Sequence, residues 1–263
     1  MPSNFWFNNK ERGMCGKMRA MIAQCKAELL RTFRNRRFFV FSIIMPAIFY
    51  FIFTSTVGDH TQVGGVDWKA YYLMSMTVFG VIGACVNTLS IRFAQERSQG
   101  WIRMIEITPL PSSAYVLSKI VSQSIVNLVT IVVMFLIGGV IKGVELSLLQ
   151  WVLCGVWIWL GALPFMALGV LIGTLKSVEV TQVVAQIVFM GISILGGLWF
   201  PTEIMPKLMQ QIASFSPSFR FGQGAWNIIA GGGLSLAGIC ILAAYLLIFM
   251  VLSTYILKKQ KAV

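Results

Sequence analysis

This chain reads as an all-α integral membrane protein with six transmembrane helices, and three features of its sequence say so. Of the 263 residues, 57% are hydrophobic and 11% charged, with a mean hydropathy of +0.79. The interior of a soluble fold of this size could not hide that much apolar surface. Six apolar runs each reach about twenty residues, enough for the roughly 30 Å hydrocarbon core at about 1.5 Å per helical residue. The basic residues are also sorted by side. Nine precede Phe38, four lie from Arg92 to Lys119, and Lys176 and three C-terminal lysines bring that side to 17, against Lys69, Lys142, Lys207 and Arg220 in the alternate loops. Both termini are therefore expected in the cytosol.

The net charge of +12 resides mostly in these membrane flanks, so it points to lipid head groups and topology rather than to nucleic acid. Cys15, Cys25, Cys85, Cys154 and Cys240 show no CxxC spacing and no pair in an outer loop. Free thiols are expected, with neither disulfide nor metal. The first 37 residues are polar and basic and show no evident cleavable signal peptide, so the first span is expected to insert the chain. One domain is expected over 1–263: a cytosolic N-terminus (1–37), a six-span bundle (38–257) and a cytosolic tail (258–263).

From Cys15 to Phe33, Met18, Met21, Ile22, Cys25, Leu29 and Phe33 recur at three- and four-residue steps, opposite Lys17, Gln24, Lys26, Arg31 and Arg34. That pattern predicts a helix lying in the interface. Span one follows over Phe38–Val57, with a possible kink at Pro46. In the outer loop after it, His60 has no carboxylate or cysteine at ligand spacing and reads as a solvated group. Trp68, Tyr71 and Tyr72 look like an aromatic anchor at the water boundary. Span two covers Tyr71–Ile91 and ends at Arg92, whose guanidinium can reach the interface. Span three covers Ile120–Ile141, and span four Trp151–Leu175, bent by Pro164. Gly139/Gly143 and Gly169/Gly173 match GxxxG, a pattern frequent by chance in glycine-rich spans. Span five covers Val180–Phe200 and span six Leu234–Leu257. Between them, Gly196–Gly233 is too polar and proline-broken to cross, yet Ile204, Leu208, Ile212 and Phe215 keep a helical apolar stripe. The segment should lie against the outer face or dip into it.

The stretch Gln95–Lys119 is the longest polar break on the basic side. Glu96, Arg97, Arg103 and Glu106 surround Trp101, Ile102 and Ile105 before Pro109 and Pro111 stop the helix. A short amphipathic helix is expected there, with the next helix starting at Ser112 or Ser113. Its apolar side suits a cytosolic partner.

No phosphate loop, HExxH or GxSxG is present, and the spans carry no pair of central carboxylates, so catalysis within the chain is not expected. The spans also lack the ionisable groups that an ion-coupled carrier needs at membrane depth. Asn87, Asn127, Gln123, Gln182 and Gln186 are the main polar side chains there. They suit interhelical hydrogen bonds as well as a substrate pathway, for which Asn87, Asn127, Gln182 and Gln186 are the candidates.

Glu96 and Gly100, then Ile102–Ile107 and Thr108-Pro109, resemble the E-x₃-G … T-P stretch in the first cytosolic loop of ABC type-2 exporter permeases. Gly197, Pro201, Met205-Pro206 and Ser216-Pro217 are similar to the proline-punctuated outer segment before the last span of that family. The resemblance implies an ABCG-like half-transporter with an N-terminal connecting helix, a cytosolic coupling helix and outer re-entrant helices. It implies coupling to an ABC ATPase subunit through Glu96, Arg97, Gly100, Trp101, Ile102, Arg103, Ile105, Glu106 and Pro109. ATP and Mg would bind that partner, with no cofactor in this chain. A second permease chain, identical or related, would complete a pathway for a hydrophobic or amphipathic small molecule such as a drug, antibiotic, lipid or lipid-linked compound. The setting implied is a cell membrane, expected to be a bacterial plasma membrane. The competing reading is a non-transporting scaffold that docks a cytosolic partner.

Overall fold

One helix sits inside all the others. In the computed structural model, which describes residues 26–28, 30, 34, 40–57, 62–63, 65–100 and 112–261, the span Trp68–Ser98 has its whole most apolar stretch buried, whereas only 17% of the corresponding stretch of Leu236–Gln260 is. The enclosed span is the least hydrophobic of five, and the exposed one the most. Lipid demands apolar side chains on every outward position, while a helix packed on all sides accepts Ser75, Thr77, Gly80, Gly83, Asn87 and Ser90 among its apolar residues.

In chain order, a π-helical turn over Val40–Ile44 passes into α1 (Met45–Thr56), where Pro46 occupies the first turn and needs no N–H partner. A two-stranded hairpin, β1 (Gln62–Val63) and β2 (Val66–Asp67), leads to α2 (Trp68–Gly83). A π-helical stretch (Ala84–Leu89) then joins α2 to α3 (Ser90–Ser98). α4 (Ser112–Leu136) ends in a further π turn, Ile137–Ile141. α5 (Leu148–Gly161) and α6 (Leu163–Ile172) form one broken span, parted just before Pro164. α7 (Val178–Leu195), the hairpin of α8 (Lys207–Phe215) and α9 (Pro217–Ile229), and α10 (Leu236–Lys261) complete the chain. Among the described residues, five helices are long and apolar enough to cross a membrane, and Ser42–Thr56 is a shorter apolar helix.

Several expectations shift. α2 and α3 run from Trp68 to Ser98, so Gln95–Ser98 are helix rather than loop. α7 stops at Leu195, because Gly196 ends it and Gly197 turns at φ +71. Trp68, Tyr71 and Tyr72 do not form a lipid-boundary anchor. They are buried: Tyr71 stacks on Trp226 of α9 at 4.8 Å, while Tyr72 packs on the Phe53 ring of α1 and Trp68 Nε1 donates to Phe53 O. One GxxxG is a close contact. A Cβ at Gly169 would stand 2.1 Å from the Cys85 carbonyl oxygen, and one at Gly173 2.9 Å from that of Ser90. Gly139 faces only Trp151, at 3.6 Å. Of the interfacial helix expected over Cys15–Phe33, Lys26–Glu28 and Leu30 are helical and the rest lies outside the described residues, as does His60.

Candidate functional site

At the basic end of the bundle, three elements meet through four buried charges. Arg92 and Glu96 stand four apart on one face of α3, Lys119 sits on the first turns of α4, and Glu28 comes from the N-terminal helix. Glu28 accepts from the Arg92 guanidinium and from Lys119 Nζ (3.3 Å), and Lys119 Nζ also pairs with Glu96 Oε2 (2.5 Å). Each of these side chains is between 5% and 8% exposed. Among the described residues, two acids and two bases alternate in the chain Arg92, Glu28, Lys119, Glu96, so these four charges sum to zero. Removing one member would leave a buried charge without its counter-ion, at about 3–5 kcal/mol.

The knot corrects two sequence expectations. Arg92 turns inward to Glu28 rather than out to the interface. Glu96 lies inside the protein rather than on an exposed docking surface, because Lys119 needs a second acid once Glu28 also serves Arg92.

One helical turn on, Arg97 ties α3 to the neighbouring chain ends. Its Nη1 donates to Gly173 O (3.1 Å), its Nη2 donates to Gln260 Oε1, and Gln260 Nε2 donates to Thr174 O (3.0 Å). The last turn of α10 and the turn after α6 are thereby fastened to α3. Gly100 then closes the helix at φ +74, its N–H bonded to Arg97 O (3.1 Å), a left-handed cap that glycine adopts without strain. Trp101, Ile102, Arg103, Ile105, Glu106 and Pro109 lie outside the described residues; Ser112 opens the next helix.

The four candidate pathway residues differ in their surroundings. Asn127 is fully buried, donates to Cys85 Sγ (3.4 Å) and accepts from Gln123 Nε2 (3.0 Å). Asn87, in the π-helical stretch, is buried with no acceptor for its Nδ2. Gln182 is exposed and Gln186 half-buried on α7. Asn127 therefore serves an interhelical bond. Sequence reading missed Glu28, Arg92 and Lys119 as a group, since partners 64 and 91 residues apart leave no local pattern.

Several apolar membrane-length helices around one enclosed helix define a polytopic membrane protein of the permease class. The chain belongs to the ABC-2 transporter family: residues 64–256 match the family described as "ABC-2 family transporter protein". It is also 44% identical over 246 residues to "Putative transport permease YvfS" of Bacillus subtilis (strain 168), covering 94% of this chain and all of that one. It is thus the permease component of an ABC-2 transporter, a kind of subunit without its own ATPase site that in general works with an ABC ATPase.

Proposed function

We propose that this permease is one half of an ATP-driven exporter, in which six spans, with both termini cytosolic, wall a path for a hydrophobic or amphipathic compound. The sixth span is the apolar run Phe38–Val57, and the orientation follows from the 17-to-4 distribution of basic residues. A separate ATPase, holding ATP and Mg, docks on the segment between Gly100 and Ser112 through Trp101, Ile102 and Ile105. Arg103, Glu106 and Pro109 shape that contact. A second permease chain closes the path, and α8 and α9 enter the membrane from the outer face without crossing it.

The observation that carries this reading is the anchoring of both ends of that segment. Arg97 is fastened to the turn after α6 and to α10, and Lys119 sits in the buried charge knot. A push on a segment held this way is delivered to the bundle rather than lost in loose ends. The test is co-expression with the candidate ATPase, followed by measurement of ATPase copurification and ATP-dependent export. Ile105→Asp introduces a carboxylate into the apolar contact, and Gly100→Val forces a β-branched residue to positive φ. Both should lose copurification and export at matched membrane expression, while Ser113→Ala keeps them. Wild-type behaviour in both test variants would remove this segment as the docking element.

A further inference from the structure

The hairpin of α8 and α9 carries one charge far along the bundle. α9 runs antiparallel to α5: Gln150 Nε2 donates to Ile229 O (3.0 Å), Cys154 Sγ to Ala225 O (3.8 Å) and Trp157 Nε1 to Phe221 O (2.8 Å). Trp157 lies nine residues, about 14 Å, from the start of α5. On the other side, Tyr245, nine residues into α10, donates to Phe215 O (3.1 Å). Counted from the start of either helix, Phe215–Phe221 lie about 14 Å along it, close to half of a hydrocarbon core of roughly 30 Å, while Ser218 also donates to Ile192 O, three residues before α7 ends. Arg220 belongs to that stretch, although its sequence context reads as an outer loop and the spans were expected to hold no charge at depth.

Its guanidinium is incompletely satisfied. Nη1 donates to Gln223 Oε1 (2.9 Å), the Phe219 ring centre is 5.6 Å away, and Nε is buried without an acceptor. No carboxylate pairs with it among the described residues. Glu28, Arg92, Glu96 and Lys119 pair with one another, whereas Arg220 has no carboxylate partner among the described residues, at a depth where a cation is costly. Gln223 and Asn227 continue along α9 from Arg220, lining with it a closed crevice, too tight for a water, against Trp157 and the start of α10. The same two amides border a cavity of about 190 Å³ walled by Tyr71, Phe219 and Trp226. A cation, two side-chain amides and aromatic faces thus adjoin, beside helices that expose Val156, Leu160 and Ile239.

We propose that Arg220, with Gln223 and Asn227, binds the phosphoryl head group of a membrane amphiphile. The phosphoryl oxygens take the free donors of the guanidinium and amides through charge-assisted bonds, and the chains lie along the apolar surface of α5 and α10. This narrows the amphipathic substrate class proposed above and rests on that reading for its role in export. Binding is read without the ATPase, so the site and the exporter reading can fail separately.

The test uses purified permease in detergent micelles and native mass spectrometry with three probes: dioleoylphosphatidylglycerol, dioleoylglycerol and inorganic phosphate. Wild type should retain the phospholipid on the order of tenfold more tightly than the glyceride, the increment of one charge-assisted contact. Arg220→Gln should abolish that preference, Arg220→Lys should keep part of it, and Lys207→Gln should leave it intact. If Arg220→Gln does not fold, Gln223→Leu carries the same expectation with the charge in place. Inorganic phosphate that binds wild type but not Arg220→Gln, without a preference between the two lipids, would support the phosphoryl site and name a free anion as its ligand. Equal retention of phospholipid and glyceride by wild type with no phosphate binding, or an undiminished preference in Arg220→Gln, would overturn the site.

Discussion

Replacing Lys119 by methionine removes the cation that stands between two buried carboxylates. Its Nζ is 2.5 Å from Glu96 and 3.3 Å from Glu28. Glu28 keeps Arg92, whereas Glu96 loses its pairing with Lys119 while remaining only 3% exposed. Breaking a buried pair from one side costs about 3–5 kcal/mol, whereas replacing both members by neutral groups of similar volume is close to neutral. The single variant should therefore melt on the order of 10 °C below wild type. The double variant Lys119→Met with Glu96→Gln should recover most of that loss, and Lys119→Arg should lose little. Thermal melts of solubilised protein followed by fluorescence-detected size exclusion give all four values. If the double variant melts no higher than Lys119→Met, the charge balance is not what stabilises this junction and the argument from the knot fails.

Two further outcomes follow from the packing and the topology. Gly169→Val should be the most damaging glycine substitution in the spans, since its Cβ would stand 2.1 Å from the Cys85 carbonyl oxygen, while Gly139→Ala, 3.6 Å from Trp151, should express and melt like wild type; equal tolerance of both would mean α6 does not approach the Ala84–Leu89 stretch. In a cysteine-free background, an impermeant thiol reagent on intact cells should label Gly233→Cys, where open space surrounds the position, and spare Ser112→Cys; the reverse pattern would invert the proposed orientation.

Much of the architecture was legible because membrane physics is written locally. Length, hydropathy and the Lys/Arg distribution act through neighbouring residues, so the apolar runs could be placed within a few positions. Some local signals were present but unread. Ser147 and Gln150 form a reciprocal capping box that starts α5 at Leu148, three residues before the Trp151 start expected from hydrophobicity alone. Other features could not be read because their cause is tertiary. Nothing near Arg92 names Glu28 as its partner, and nothing near Tyr71 says that Trp226 of α9 will stack on it. Arg220 lies in a proline-broken polar segment that resembles an ordinary loop until α5 and α10 show how far along the bundle it reaches.

The enclosed helix accounts for how the two polar regions can belong to one device. Its basic end carries Arg92, Glu96 and Arg97, and its other end carries Tyr71 and Ser75, which hold α9 through the Trp226 ring and the Trp226 Nε1 bond to Ser75 Oγ (3.0 Å). On the docking proposed above, a displacement of the segment beyond Gly100 would meet a helix whose most apolar stretch is wholly buried and whose far end touches the element that bears Arg220. A buried helix cannot bend freely, because its neighbours are close-packed against it. The place where its hydrogen-bond register is already altered is the π-helical stretch Ala84–Leu89, and Gly169 brings α6 into backbone contact there. If the segment beyond Gly100 docks the ATPase as proposed, this stretch, braced by α6, is where the buried helix would change register.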